Sequence, residues 1–324
     1  MQYRQLGNSG VKVSIIGLGG NVFGRHQTFK HYNDETQTAA IVGHAADLGI
    51  NHIDTADMYS DGVSETYIGK AVCGKRDRFL IASKVGFPIS DDPNDSGLSR
   101  GHIMASIDGT LRRLATDYID LYYAHFPDQT TPIEVTLRAF DDLIRQGKVR
   151  YLGCSNFAAW QIAAAHAAAE RRDGAAFLVS QSPYNLFERS IEAEVVPCCS
   201  NLGMSINAYA PLAQGVLTGK YRPGAPIPSG TRAWQNPSRN LASYMTDDRL
   251  ATVDRLDTWA RDHGHRVPEV AIAWLVAKPF VCSVLTAVTS IQQLESNVKA
   301  TDWTLTPDQM QEVEQIVAEG VAQS

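Results

Sequence analysis

The chain has 324 residues, 44% of them hydrophobic, a net charge of −6 and a pI near 5.8. Such a balance leaves no electrostatic footprint for nucleic acid or anionic lipid. The longest apolar runs, such as "VAIAWLVA" (270–277), are too short to cross a bilayer. The length suits one large domain or two ordinary ones, and α/β barrels commonly exceed 250 residues as one unit. Five cysteines, at 73, 154, 198, 199 and 282, form no C-x-x-C pair. Reduced thiols in a cytoplasmic protein are expected, and "MQYRQLGNSG" offers no basic-then-apolar secretory start.

Short β-rich runs alternate with helical patterns along the whole chain. The predicted strands are "KVSIIGL" (12–18), "NHID" (51–54), "FLIASK" (79–84), "IDLYYAH" (119–125), "VRYLGCS" (149–155), "FLVSQS" (177–182), "SINAY" (205–209) and "CSVLTA" (282–287). Helical stretches are expected around 35–48, 64–73, 99–114, 132–146, 158–172, 190–201, 247–263 and 268–277. Many of the strand runs are apolar on both faces, as in a parallel sheet covered by helices. Helix starts are read at Ser64-Glu65, Pro132, Asn156 and Thr306-Pro307, and helix ends at Gly49, Gly147, Gly174 and Gly203. Eight strands with their helices predict an α/β fold, one (β/α)8 TIM barrel over 1–324 with an N-terminal hairpin and a C-terminal helical tail. A Pro/Gly-rich loop at 222–240 interrupts the pattern, and loops of that length in compact domains are commonly functional lids or disordered.

Two motif resemblances fail on inspection. "DMYSDG" from Asp57 imitates a calcium-binding loop, but the third position is Tyr59 and the twelfth is Ile68 instead of a bidentate glutamate. "GLGGNVFG" (17–24) imitates a dinucleotide fingerprint, but the last glycine of G-x-G-x-x-G falls on Val22. No metal site is predicted.

The strand ends carry the chemistry. Asp54 closes the second predicted strand, Lys84 the third and His125 the fourth, and Tyr59 follows five residues after Asp54. Barrel enzymes place reacting groups at this end of the strands. A structural reading, with Asp54–Lys84 an ion pair and His125 a packed histidine, stands beside the functional one. The functional reading is specific: a lysine ammonium lowers the pKa of a nearby tyrosine, an aspartate keeps that lysine charged, and a histidine holds a substrate oxygen. A tyrosine so tuned is a general acid for a carbonyl that becomes an alcohol, provided that hydride comes from a cofactor.

The ordered motifs "YRQLGNSGVKVSIIGLGG", "GINHIDTADMYSDGVSETYIGKAV", "FLIASKVG", "YIDLYYAHFPD", "GKVRYLGCSNF", "VSQSPYNLFER" and "AYAPLAQGVLTGKY" resemble the aldo-keto reductase family over nearly the whole chain. The resemblance implies a catalytic tetrad of Asp54, Tyr59, Lys84 and His125, with Tyr59 as proton donor. It also implies a nicotinamide cofactor, NADP(H) in preference to NAD(H), and a small carbonyl or alcohol as substrate. Ser155, Asn156 and Gln181 match residues that hold the nicotinamide carboxamide, and Tyr209 the aromatic that stacks on its ring. Pro211, Leu212, Gly215, Lys220 and Arg232 match the segment over the pyrophosphate, and Gly20 and Asn21 the turn after the first strand. Thr289, Gln293 and Asn297 match residues near the adenosine and its 2′-phosphate. The last motif, "TAVTSIQQLESN" (286–297), departs from the usual pattern: Ala287 replaces a glycine, and no Arg or Lys stands at 289–291. Relatives of the potassium-channel β-subunit type share the motif set, so a cofactor-binding regulatory subunit is the alternative function. Phe23, Phe29, Phe87, Phe126 and Trp234 lie in the rim loops and are expected either to wall an apolar substrate pocket or to pack those loops.

Overall fold

The computed structural model describes residues 1–24, 32–235 and 244–321. Among the described residues ten strands are seen: β1 (Tyr3–Gln5), β2 (Lys12–Ser14), β3 (Ile16–Gly19), β4 (His52–Asp54), β5 (Leu80–Val85), β6 (Ile119–Ala124), β7 (Val149–Ser155), β8 (Phe177–Pro183), β9 (Ser205–Tyr209) and β10 (Val281–Thr286). The helices are α1 (Glu35–Asp47), α2 (Val63–Ala71), α3 (Arg100–Leu114), α4 (Ile133–Arg145), α5 (Ala159–Arg171), α6 (Val195–Asn201), α7 (Arg232–Gln235), α8 (Asp247–Asp262), α9 (Val267–Val276), α10 (Ile291–Lys299) and α11 (Pro307–Val321). Strands β3 to β10 pair in parallel and close in the order β10-β3-β4-β5-β6-β7-β8-β9. This is the expected (β/α)8 barrel.

The predicted first strand, 12–18, divides into two. Lys12–Ser14 pairs antiparallel with β1, while Ile16–Gly19 enters the barrel between β10 and β4. The hairpin plugs the N-terminal end of the barrel. Leu6 and Val13 join Leu80, Ala82, Leu121, Tyr123, Val179 and Cys282 in an interior cluster. Arg4 anchors the plug by donating to the carbonyls of Val276, Lys278 and Val281.

Several boundaries differ from the sequence reading. Ser64 does not cap α2; its hydroxyl donates to the Gly20 carbonyl at 2.8 Å and meets Thr55 Oγ1 at 2.8 Å. Asn156 precedes α5 by three residues in a left-handed conformation (φ 63°), and Pro132 stands just before α4. Gly49, Gly147 and Gly203 take the expected positive φ, whereas after α5 it is Asp173 (φ 50°), not Gly174, that turns left-handed. The stretch 190–201 holds a short 3-10 turn, Ser190–Glu192, followed by α6. Both α8 and α9 fall between β9 and β10, and the helix following the eighth barrel strand is α10, which is not among the helical stretches expected from the sequence. Thr306 accepts from the backbone N–H of Gln309 at 3.2 Å, capping α11 as expected.

A strand's period of two sorts its residues between the barrel interior and the helix layer. On β5 the series Leu80, Ala82, Lys84 faces inward, as do Leu121 and Tyr123 on β6. Gly153 of β7 leaves room for the Tyr123 ring, since a Cβ there would lie 2.5 Å from it. In the outer layer, Gly69 of α2 crosses α3 so closely that a Cβ would stand 2.5 Å from the Leu114 carbonyl oxygen. Alanine in a helix interior ordinarily stabilises by roughly 0.5–1 kcal/mol over glycine. Here the sign reverses: Gly69→Ala is expected to cost about 1–3 kcal/mol by overpacking against backbone, read from denaturant midpoints.

Candidate active site

Asp54, Lys84 and His125 lie at the C-terminal ends of β4, β5 and β6, and all three are buried. The chain leaving β4 continues along β5, with Thr55 N donating to the Ala82 carbonyl at 2.8 Å and Asp57 N to the Lys84 carbonyl at 3.4 Å. This run brings the Lys84 ammonium within 2.5 Å of Asp54 Oδ1, 2.7 Å of the Thr55 carbonyl and 3.4 Å of the Tyr59 hydroxyl. The second oxygen of Asp54 accepts from Gln181 Nε2 at 2.8 Å, so the carboxylate is held from two strands. Neither the Thr55 carbonyl nor the Gln181–Asp54 bond has a signal in the sequence, because both depend on barrel closure.

Tyr59 is aimed by an unusual turn. Ser60 (φ 51°), Asp61 (φ 54°) and Gly62 (φ 84°) are left-handed in succession, a conformation that costs energy in the two residues carrying a Cβ. The Ser60 hydroxyl pins the turn by donating to the Phe23 carbonyl at 3.0 Å. The Tyr59 and His125 rings lie 6.1 Å apart, edge to face.

The electrostatics correct one expectation. Burial raises the Tyr59 phenol above its ordinary pKa, and the Lys84 ammonium opposes that rise without overcoming it. Lys84 is pulled down by burial but carried above the usual lysine value by Asp54 and Tyr59. At neutral pH the set is therefore a charged lysine beside a protonated tyrosine. Burial, with Lys84 adding to it, pushes His125 down to about 2, so the imidazole is neutral. Its Nδ1 is buried with no partner among the described residues.

Phe87 stands 4.7 Å from the His125 ring, and Phe126 stacks on the same ring at 5.4 Å. Phe126 remains 43% exposed and Trp234 55% exposed. Phe23 is fully buried and packs in the core, as the alternative reading of the loop aromatics expected. Phe29 lies outside the described residues.

The residues matched to cofactor contacts gather at the same end of the barrel. Ser155 ends β7, Gln181 lies near the end of β8 and Tyr209 ends β9. Asn156 Nδ2 donates to the His125 carbonyl at 3.1 Å and to Ser155 Oγ at 3.0 Å, while its Oδ1 accepts from the Tyr209 hydroxyl at 2.8 Å. This set of amides, a hydroxyl and an aromatic ring suits a nicotinamide carboxamide and its ring. Beyond β9, Pro211 and Leu212 lead into the 3-10 segment Ala213–Thr218, in which Gly215 (φ 99°) leaves space beside the exposed Lys220. Ala210 is also left-handed (φ 52°), and nothing in the structure explains why alanine stands there. The Arg232 side chain lies outside the described residues. Asn21 is exposed, whereas Gly20 is buried against Ser64 and the Asp54 carbonyl, so its small size also serves packing. At the start of α10, Gln293 Oε1 accepts from Thr289 N at 2.8 Å and Ser290 Oγ accepts from Gln293 N at 3.3 Å, while Asn297 is buried one turn on. Thr289 and Gln293 thus already serve the helix start.

The family model described as the Aldo/keto reductase family matches residues 15–318. The chain belongs to the aldo/keto reductase family. It is 39% identical to a probable voltage-gated potassium channel subunit beta of Arabidopsis thaliana over 98% of this chain and 97% of that one. It is 32% identical to the L-glyceraldehyde 3-phosphate reductase of Escherichia coli O157:H7 over 99% of this chain and 93% of that one. It is 31% identical to the versiconal hemiacetal acetate reductase of Aspergillus parasiticus over 97% and 96%. Aldo/keto reductases are NAD(P)H-dependent oxidoreductases, and this membership supports that class of activity for the chain. Among the described residues no helix is long and apolar enough to cross a membrane.

Proposed function

We propose that the chain, acting as a single domain, interconverts a small aldehyde or ketone and its alcohol, with Tyr59 passing the proton. One observation carries the reading: the Lys84 ammonium bridges Asp54, at 2.5 Å, and the Tyr59 hydroxyl, at 3.4 Å. When bound, a reduced nicotinamide supplies the hydride. Tyr59, kept protonated by burial, donates to the carbonyl oxygen as negative charge develops there, and Lys84 lowers the cost of the resulting phenolate. Neutral His125 orients the substrate oxygen, and Phe87 and Phe126 exclude water from one side. Ser155, Asn156, Gln181 and Tyr209 would hold the nicotinamide, and Lys220 and the start of α10 the phosphates. NADP(H) is favoured, through the hydroxyls of Thr289 and Ser290 and the positive end of α10. Arginine and lysine are missing at 289–291, so discrimination against NAD(H) is expected to be modest, within about 100-fold. Titrating protein fluorescence with NADPH and NADH measures it, and a larger ratio would mean that a cation elsewhere reads the 2′-phosphate. Oxidation of the preferred cofactor with a panel of carbonyls tests the activity.

A regulatory role as a cofactor-binding subunit is the second reading, favoured by the 39% identity to the Arabidopsis protein. It predicts nicotinamide binding and a captured channel partner, with no turnover on any carbonyl in the panel. The tetrad does not decide between the two readings, because such subunits keep it; turnover on the carbonyl panel does.

A further inference from the structure

Asp57 stands between Asp54 and Tyr59 in the chain, at the start of the string that imitates a calcium-binding loop. The structure places it differently. It is 3% exposed, and its Oδ2 accepts from the Ser106 hydroxyl of α3 at 2.7 Å. Ser106 in turn accepts from the Tyr122 hydroxyl of β6 at 3.3 Å. The other oxygen, Oδ1, is buried with no partner among the described residues. Through its backbone N–H the same residue reaches the Lys84 carbonyl. One residue therefore ties the tyrosine loop to β5 by its main chain and to the helix layer by its side chain.

A carboxylate is a poor choice for such a tie if anchoring is all that is needed. One oxygen is satisfied, but the other, when ionised, is a buried charge facing no donor. Burial pushes the carboxyl up to about 7; Ser106 opposes this, Glu65 adds to it, and Arg113 and the Met58 N–H oppose it. The charged and titratable groups around it are few. Tyr59 and Asp54 belong to its own segment, Lys84 to β5, Tyr122 to β6, Glu65 to α2 and Arg113 to α3. Glu65 and Arg113 pair at 2.6 Å, and Glu65 also accepts from Ser83 at 2.5 Å, so both are already held.

We propose that Asp57 is a positioning residue for Tyr59: its carboxyl docks the tyrosine loop on α3 through Ser106, and its ionisation strains that loop by leaving a buried charge on Oδ1 that faces no donor, making the proton-transfer step sensitive to pH from outside the barrel interior. The proposal rests on Tyr59 being the proton donor. The ionised form also places a negative charge near the phenol, which disfavours the phenolate.

Asp57→Asn tests it, because the amide keeps an oxygen for Ser106 but cannot ionise. Ser106→Ala removes the hydrogen bond that favours the carboxylate and should move the ionisation upward. The first measurement uses protein without cofactor, unfolded by denaturant between pH 4 and 8. A carboxyl whose folded pKa lies above its unfolded value stabilises the fold at low pH and loses that contribution as pH rises to about 7. The wild type should therefore lose ground to Asp57→Asn by up to about tenfold in the unfolding equilibrium per pH unit over that window. His52, lowered by burial to about 4, and His125 weaken both proteins alike on acidification and cancel in the comparison. The second measurement is the pH profile of kcat and of KM in both directions. An inflection near pH 7 in the wild-type kcat should vanish in Asp57→Asn and move up in Ser106→Ala, with KM for the cofactor unchanged. In alcohol oxidation the alkaline inflection of Asp57→Asn should fall by up to about one unit. Parallel stability curves, or superimposed kcat profiles, would overturn the proposal. If Asp57→Asn does not fold, Ser106→Ala decides it by the same two measurements. If the wild type turns over no carbonyl, the proposed function fails, and with it the role in proton transfer.

Discussion

Tyr59→Phe is expected to lower kcat for carbonyl reduction by about 10²–10⁴-fold while leaving the Kd for NADPH within a factor of about two. The variant removes one oxygen. That oxygen's protein partner is Lys84 at 3.4 Å, a long hydrogen bond, so the structural loss should be under about 1 kcal/mol. The chemical loss is much larger, since phenylalanine has no proton to give. The left-handed turn that aims the ring, Ser60 to Gly62, is untouched, and so is the ring's place beside His125. A stopped-flow measurement of NADPH oxidation, with cofactor affinity read separately by fluorescence, separates the two effects. Retention of kcat within tenfold would show that some other group delivers the proton. Because burial holds the phenol above its ordinary pKa, the loss of reduction that follows from ionisation of Tyr59 itself should come on the alkaline side, above the inflection assigned to Asp57. Alcohol oxidation, which needs the phenolate, should rise over the same range.

Lys84→Met carries the largest expected stability effect. The lysine is completely buried, and its ammonium is shared among Asp54, the Thr55 carbonyl and Tyr59. Methionine fills similar volume but leaves the Asp54 carboxylate in the barrel interior with the Gln181 amide as its side-chain donor. Removing one partner of a buried pair costs about 3–5 kcal/mol, because the remaining charge is uncompensated. Asp54→Asn combined with Lys84→Met should recover much of that loss, since a neutral amide needs no counter-charge. Denaturant unfolding at pH 7 of the single and double variants gives both values, and both variants should be inactive. A single-variant loss below about 1 kcal/mol would mean that Asp54 takes up a proton in place of the missing ammonium.

The barrel was legible because its elements announce themselves locally. Runs such as "FLIASK" and "IDLYYAH" are short, apolar and separated by helix-length segments, and the strands fall within a residue or two of the expected bounds. Misreadings cluster where local signals carry a double meaning. "KVSIIGL" reads as one strand because β propensity does not register that Lys12–Ser14 turns back on β1 while Ile16–Gly19 enters the barrel. Ser64 looks like a helix cap, but its hydroxyl goes to Gly20 and Thr55, both brought to it by closure of the β3–β4 edge. Asp57 looks like a loop acid, and only the packing of α3 and β6 against the tyrosine loop buries it.

The same division runs through the candidate site. Sequence alone determined which ionisable groups close the strands, since strand length and the inward alternation of residues are local properties that put Asp54, Lys84 and His125 at one end. It also determined that Tyr59 follows in the loop above them. Tertiary structure decided what those groups are electrically. Whether a lysine lowers a tyrosine's pKa depends on how much water the surrounding wall removes, and here the wall outweighs the lysine. Desolvation is a sum over neighbours from β4, β5, β6 and β8 that meet only when the sheet closes. The charge state of the site is therefore a property of the barrel, although every residue in it can be named from the chain.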